Sequence, residues 1–429
     1  MKHRNVLVFP AGTEIGLEIF HALNYCKEVT LFGAGQNLSN HAPFIYPEYH
    51  ILPSIYEDSW VERLSSLCTM LAIDYIFPAY DDVIVALSRE AHKLSPKIIT
   101  SPLLTTEITR SKSTTYRLLA NKIRVPLLYH NPDEVLDFPV FVKPDKGQGS
   151  FGATKVSDIE ALRTAITRVP EPIICEYLPG EEYTVDCFSD REKGVLFCGA
   201  RRRCRVRSGI AVNTITEQLP DALQMANRIA ETLDLRGAWF FQVKRAQTGE
   251  LTLLEIAPRV AGSMASHRVM GVNFPLLSIF EAERIPLFMN INHGIIEVDR
   301  ALCNRYRHSI RYVTVYFDLD DTLIVNGNVN LIMISFIYKC INAGKTLILI
   351  TRHRGELHQT LLQYRLLGLF DEVLHIGPEE KKSSYIVSNG AIFIDDSFSE
   401  RMDVAANCNI PTFDCSMVEM LLNDNAYST

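Results

Sequence analysis

The segment YVTVYFDLDDT sets Asp318 and Asp320 at the end of a strand-like run. Residues two apart on a strand share a side, so both carboxylates are expected to address one site. Two further apolar runs end in useful groups, TLILIT in Thr351 and AIFIDD in Asp395 and Asp396. Ligand sites of parallel sheets lie at such carboxyl ends. Lys381 falls between them, with its neighbour Lys382 as the alternative. This set suits aspartyl-phosphate chemistry: a carboxylate nucleophile, a second carboxylate as acid and base, a hydroxyl and an ammonium for phosphoryl oxygens, and acids for Mg²⁺. An acidic turn at DLDDT and a helix cap at IDD would explain the motifs only one at a time.

A second group lies upstream. In FPVFVKPDKGQGSFGATKV, Lys143 ends a strand and a loop with Gly147, Gly149 and Gly152 follows. Glycines let backbone approach phosphate oxygens and lysine supplies charge. By itself such a loop reads equally well as a flexible hairpin tip. It is joined by Glu176 and Glu182 in ICEYLPGEEYTVDCF. Gln242 and Glu255 are expected opposite each other on a hairpin turning at Thr248-Gly249, where paired oxygen ligands suit Mg²⁺. In GARRRCRVRSGI, strand alternation puts Arg201, Arg203, Arg205 and Arg207 on one face. Guanidinium forks there suit a phosphate or carboxylate, with Arg203 and Arg207 the expected substrate-side residues. A charged edge strand is the bland alternative for one or two of the four.

The DLDDT, Thr351, lysine and IDD set resembles, in order, the four motifs of the haloacid dehalogenase (HAD) superfamily, over residues 311–429. That resemblance implies Asp318 as nucleophile, Asp320 as general acid and base, and Thr351 with Lys381 as phosphate holders. It puts Asp318, Asp395 and the backbone carbonyl of Asp320 around Mg²⁺. The interval from Asp318 to Thr351 leaves no room for a sizeable cap, so an open site is expected. Lys112 in SKSTTYRLLANKIRVP, Lys143 with its glycine loop, EYLPGEEYTVD and LLEIAPR together resemble the ATP-grasp superfamily, particularly carbamoyl-phosphate-synthase-like and amino-acid-ligase-like members, over residues 1–290. This resemblance implies ATP and Mg²⁺, or Mn²⁺, as cofactors. Lys112 and Lys143 would contact the ATP phosphates, Glu176 and Leu178 the adenine edge, and Glu182 the ribose. Gln242 and Glu255 would hold metal, and Arg259 would steady the transferring phosphoryl group. The family often reads E-x-N-P-R; here Ala257 stands at the Asn position, leaving one metal with fewer protein ligands.

Positioning these groups takes several folding units. Runs such as VLVFP, VTLFG and YIFPA alternate with helical periods at Glu14–Tyr25 and Val83–Leu94. They predict a mainly parallel, Rossmann-like α/β domain over residues 1–105. Longer antiparallel strands predict an α+β ATP-grasp domain over 106–300. A fresh strand–helix alternation predicts a HAD-like Rossmannoid domain without a large cap over 311–429. The GTEIG turn at Gly12 and Gly16 lacks a full dinucleotide fingerprint and is expected to pack a helix or touch substrate.

Composition narrows the classes. A chain of 429 residues that is 47% hydrophobic supports several cores, and a formal charge of −7 opposes a diffuse field for nucleic acid. Ten cysteines without a CxxC pair, and an N-terminus running straight into a strand, predict a reduced, cytoplasmic setting. The apolar stretch 330–350 is broken by Lys339, Asn342, Gly344 and Lys345, predicting a core helix and strand and no membrane span. The expected function is bifunctional: a carboxylate–amine ligase working through an acyl phosphate, plus a phosphomonoester hydrolase. The partners are then a small carboxylate, an amine and a phosphoester, with a homodimer the commonest assembly. The competing readings are an ATP-grasp kinase with a phosphatase domain, and a nucleotide-sensing regulator whose HAD domain is degenerate.

Overall fold

A computed structural model describes residues 2–147, 149 and 151–423. The chain divides into two units, Met1–Leu302 and Cys303–Thr429.

The first unit opens on five strands, β1 (Arg4–Phe9), β2 (Val29–Gly35), β3 (Tyr49–Ile51), β4 (Tyr75–Pro78) and β5 (Lys97–Ile98). They form a parallel sheet in the order β3-β2-β1-β4-β5. The continuous apolar run of β1 has a physical reason, because both faces of the sheet are covered. Val6 and Val8 face helices Glu14–Leu23 and Phe274–Ala282, through Ile19, Leu23 and Ile279. Leu7 and Phe9 face helices Trp60–Met70 and Asp81–Glu90, through Leu64, Leu67 and Leu87. Gly16 packs its helix closely, since a Cβ there would meet the Ala11 carbonyl.

A four-stranded antiparallel sheet follows: β6 (Leu128–Tyr129), β7 (Val140–Pro144), β8 (Thr154–Val156) and β9 (Pro172–Glu176), ordered β6-β9-β7-β8. Next come β10 (Glu182–Asp190), β11 (Gly194–Arg207), β12 (Ile210–Glu217), β13 (Gly237–Arg245), β14 (Leu251–Ala257) and β15 (Glu297–Asp299). These make an antiparallel sheet ordered β14-β13-β10-β11-β12-β15. Trp239, Phe241 and Val243 of β13 pack with Ile229 of helix Ala222–Thr232 and with Tyr116 of helix Lys112–Leu119. On its other face Phe240 joins Phe188 and Phe197 in the core built on β1. That shared core places residues 1–105 and 106–300 within one unit.

The second unit has β16 (Thr314–Phe317), a hairpin of β17 (Ile324–Val325) and β18 (Asn328–Val329), then β19 (Thr346–Thr351), β20 (Glu372–His375), β21 (Ala391–Ile394) and β22 (Thr412–Phe413). The parallel sheet runs β20-β19-β16-β21-β22. Asn326 and Gly327 turn the hairpin, both at positive φ, as a tight two-residue turn requires. Only this hairpin separates the end of β16 from helix Leu331–Asn342, so the described residues insert no cap there. The apolar stretch 330–350 is that helix followed by β19, and no described helix is long and apolar enough to cross a membrane.

Candidate functional sites

The first site lies on one face of the β14-β13-β10-β11 sheet. Across β10 and β13 the register pairs Glu182 with Lys244 and Thr184 with Gln242, and across β13 and β14 it pairs Gln242 with Glu255. Phe240, Gln242 and Lys244 share a face by alternation, so the core gives way along β13 to a polar cleft. The cleft is lined by Lys112, Lys143, Gly147, Gly149, Glu176, Leu178, Glu182, Arg203, Gln242, Lys244 and Glu255, among others.

Lys112 opens its helix behind the N-cap Ser111, whose hydroxyl accepts from the Thr114 N–H. Asp145 binds that helix end to the glycine loop, accepting from the Ser113 N–H at 2.6 Å and the Ser111 hydroxyl at 2.7 Å. Lys112 Nζ in turn donates to the carbonyl of Gly147 at 3.2 Å. Burial lowers the pKa of Lys112, against the pull of Glu255. Lys143, buried at the end of β7, donates to the Tyr116 hydroxyl at 2.8 Å. Glu182 pairs with Arg203, Nε to Oε1 at 2.9 Å. Glu176 lines the cleft, yet its carboxylate is engaged by Arg124 at 2.7 Å.

A smaller recess shares Lys112, Gly147 and Glu255 with the cleft and adds Asp81, Ile84, Arg110 and Ala257. Arg259 pairs with Asp81 through Nε and through Nη2 at 3.2 Å, over the ring of Phe240. Burial works against its charge, and Asp81 outweighs burial and raises its pKa.

The four-arginine face is not continuous. Register shifts on either side of Arg205 break the alternation of β11. Arg201 is buried against Asp186 at 2.8 Å and Arg203 lines the cleft, whereas Arg205 pairs with Asp299 and Arg207 is exposed. The expectation of Arg207 beside Arg203 is corrected by this bulge, an irregularity of pairing that composition does not announce.

The second site is at the carboxyl edge of the second unit's sheet. Phe317 is in register with Ile394, so the residues one step on, Asp318 and Asp395, stand side by side. Both are buried, and with Asp396 they bring carboxylate oxygens within 4.8 Å of one another. Burial raises Asp318 to about 7, with the charge of Asp395 adding to the effect and Lys382 opposing it. Burial raises Asp395 as well. Such a cluster of hard oxygen donors, costly to ionise together, fits a divalent cation. Thr351 is buried at the end of β19.

One expectation needs correction here. Lys381 is not at the site: its side chain is 68% exposed and pairs with Asp403. Lys382 is the buried lysine, with Nζ 2.6 Å from Asp318 and 2.7 Å from Asp395. Asp320, expected as acid and base and as a metal ligand only through its backbone carbonyl, has its carboxylate outside the cluster of three. It pairs instead with His353. His353 went unnoticed in sequence, although it sits two residues beyond Thr351. Tyr116 and Lys244 were missed too, since an isolated tyrosine or lysine carries no signal until its neighbours are known.

Comparison with known proteins gives the fold its place. Residues 168–290 match the family model described as ATP-grasp in the biosynthetic pathway with Ter operon. The D-alanine–D-alanine ligase of Fusobacterium nucleatum is 32% identical over 104 residues, 24% of this chain and 36% of that protein; the chain thus spans little more than a third of this curated relative. The biotin carboxylase domain of Hydrogenobacter thermophilus 2-oxoglutarate carboxylase superposes with a TM-score of 0.59 at 14% identity, covering 69% of this chain and 74% of that one. L-amino acid ligase from Bacillus licheniformis gives 0.53 at 17% identity, covering 65% and 74%. The chain is therefore a mixed α/β, multidomain protein that carries the ATP-grasp fold.

Proposed function

We propose that the chain is an ATP-dependent ligase that activates a small carboxylate as an acyl phosphate and passes it to an amine. In this reading residues 1–105 are a Rossmann-like domain preceding the ATP-grasp domain of residues 106–300. The observation that carries it is a single cleft lined by two lysines, a glycine loop, and the facing pair Gln242 and Glu255. Lys112 and Lys143 hold the ATP phosphates beneath Gly147 and Gly149. Leu178 and the backbone of Glu176 meet the adenine edge, the Glu176 side chain being occupied by Arg124. Glu182 meets the ribose. Bound Mg²⁺, or Mn²⁺, at Gln242 and Glu255 would neutralise charge on the phosphates. Arg259 and Arg203 balance the charge that spreads as the phosphoryl group moves, which is where such catalysis gains most. Support for the chemistry comes from the similarity to ligases that join amino acids. A homodimer fits the reading, as the biotin carboxylase domain is described as a dimer.

A second activity is favoured by a separate observation, the side-by-side Asp318 and Asp395 bridged by Lys382. The reading is that residues 311–429 form a HAD-type phosphatase domain. Asp318 attacks the phosphoester, Asp320 manages the proton, Thr351 and Lys382 hold phosphoryl oxygens, and Asp318, Asp395 and Asp396, with the Asp320 carbonyl, would hold Mg²⁺ to neutralise charge on the phosphoryl group. The decisive assay measures ADP and phosphate release by the intact chain with Mg²⁺-ATP and pooled carboxylates and amines. ADP release that requires both an acid and an amine, and survives Asp318→Asn, supports the ligase. ADP release without an amine makes the first activity a kinase.

A further inference from the structure

Asp320 stands apart from the three clustered acids of its unit. Its carboxylate is held by His353, whose Nδ1 lies 2.9 and 3.0 Å from the two oxygens. The histidine is itself fixed at three further points. Nε2 is 2.9 Å from the Thr360 hydroxyl, the backbone N–H donates to Thr351 Oγ1 at 3.2 Å, and the backbone carbonyl accepts from His375 Nε2 at 2.8 Å. One tautomer satisfies both ring nitrogens: Nδ1–H donates to Asp320, and Nε2 accepts from the Thr360 hydroxyl. The His353 side chain is 16% exposed and that of Asp320 is 52% exposed. A shielded, multiply anchored ring therefore steadies an acid that is otherwise open to water.

We propose that His353 is the positioning residue of Asp320, fixing its carboxylate for proton transfer; the proposal rests on the phosphatase reading of this unit. In the first half-reaction an Asp318 oxygen bonds to phosphorus while the bond to the leaving oxygen breaks, and protonated Asp320 gives its proton to that oxygen. In the second, a water oxygen bonds to phosphorus while Asp320 takes the water's proton. The Asp318 oxygen–phosphorus bond then breaks, releasing inorganic phosphate and restoring both aspartates. The same carboxylate serves opposite roles at neighbouring oxygens, so fixing its orientation favours both steps. Thr351, whose hydroxyl meets the His353 N–H, ties this arrangement to the end of β19.

The test uses the intact chain with Mg²⁺ and two probes, p-nitrophenyl phosphate and glycerol 2-phosphate. The aryl leaving group departs with little help from an acid, and the alkyl one needs a proton. Wild type, Asp318→Asn, His353→Ala and His353→Asn are compared, with thermal melts to verify folding. The expected result is a fall in kcat for His353→Ala of roughly 10- to 100-fold on the alkyl ester, within the range of acid–base contributions. The loss on the aryl ester is several-fold smaller, KM is unchanged, and His353→Asn, whose amide N–H stands near the position of Nδ1, recovers most of the rate. Equal losses on both probes, a change in KM alone, or no recovery by a folded His353→Asn overturn the proposal. If neither probe is hydrolysed in an Asp318-dependent way by the wild type, the phosphatase reading itself falls and takes the proposal with it. That outcome is separate because it appears before any His353 variant is compared.

Discussion

Gln242 and Glu255 face each other across β13 and β14, in the register interval that ends at a bulge. Val243, the next residue, faces the opposite side and is fully buried in the core with Trp239 and Phe241. The apolar side of the hairpin thus fixes where the polar pair can point. Glu255 also lines both recesses together with Lys112.

For Glu255→Ala, ADP formation should fall by about 10²- to 10³-fold, the loss typical of removing one group that stabilises developing charge. Gln242→Ala should lose less, because a neutral amide contributes less to holding a cation than a carboxylate does. Nucleotide binding, followed calorimetrically with ADP alone, should weaken by under tenfold in both, since Lys112 and Lys143 remain. Unchanged turnover in Glu255→Ala would remove the metal role from this hairpin.

Exchanging the two adjacent lysines separates a site residue from a surface one. Lys382→Ala should abolish Asp318-dependent phosphate release, because a buried ammonium bridging Asp318 and Asp395 is lost. Lys381→Ala should stay within about twofold of wild type, as an exposed pair such as Lys381–Asp403 contributes little. Steady-state hydrolysis of p-nitrophenyl phosphate by the two variants decides it.

Much of this was legible in sequence because strand ends and apolar alternation carry their own signals. Lys143, Thr351 and Asp395 were placed by runs that end where the strands end, and the hairpin of Gln242 and Glu255 by its turn. What failed shares one cause. Lys382 and Arg207 depend on a single step of backbone phase, and the phase changes in the short helix beginning at Lys382 and at the bulge in β11. A pattern read by counting residues carries no mark of such a slip. His353 was invisible for a different reason: its partner Asp320 is 33 positions away in sequence, and a lone histidine has no pattern.

The raised pKa of Asp318 predicts how the metal-free second unit responds to pH. A carboxyl that titrates at about 7 when folded, against roughly 4 in an unfolded chain, binds its proton more tightly in the folded state. Its contribution to stability is full below about pH 4 and is lost as pH rises through about 7. The unit should therefore lose stability from about pH 4 to about pH 7 without metal, and saturating Mg²⁺ should largely abolish that loss by replacing the proton. Melting curves of the intact chain with EDTA and with Mg²⁺ test this. A metal-independent slope over that range would place the titration elsewhere.

The buried pair of Arg201 and Asp186 makes the opposite prediction for the first unit. Burial pushes Asp186 up, but Arg201 at 2.8 and 3.1 Å and His267 at 2.8 Å outweigh burial and hold its pKa below the usual carboxylate value. Its contribution is present above roughly pH 4, the unfolded value, and is lost as pH falls through the lower folded value. Removing one partner leaves the other charge buried, which costs about 3–5 kcal/mol. Arg201→Met should therefore lower stability by that amount at pH 7. It should also regain part of the loss on acidification toward pH 5, since protonating Asp186 relieves an uncompensated charge. Wild type should show no such gain. Trp60 and Trp239 are the two tryptophans and both lie in the first unit, so urea unfolding followed by tryptophan fluorescence reads this unit directly. A variant that weakens further at pH 5 would mean that His267, rather than Arg201, is what keeps Asp186 ionised.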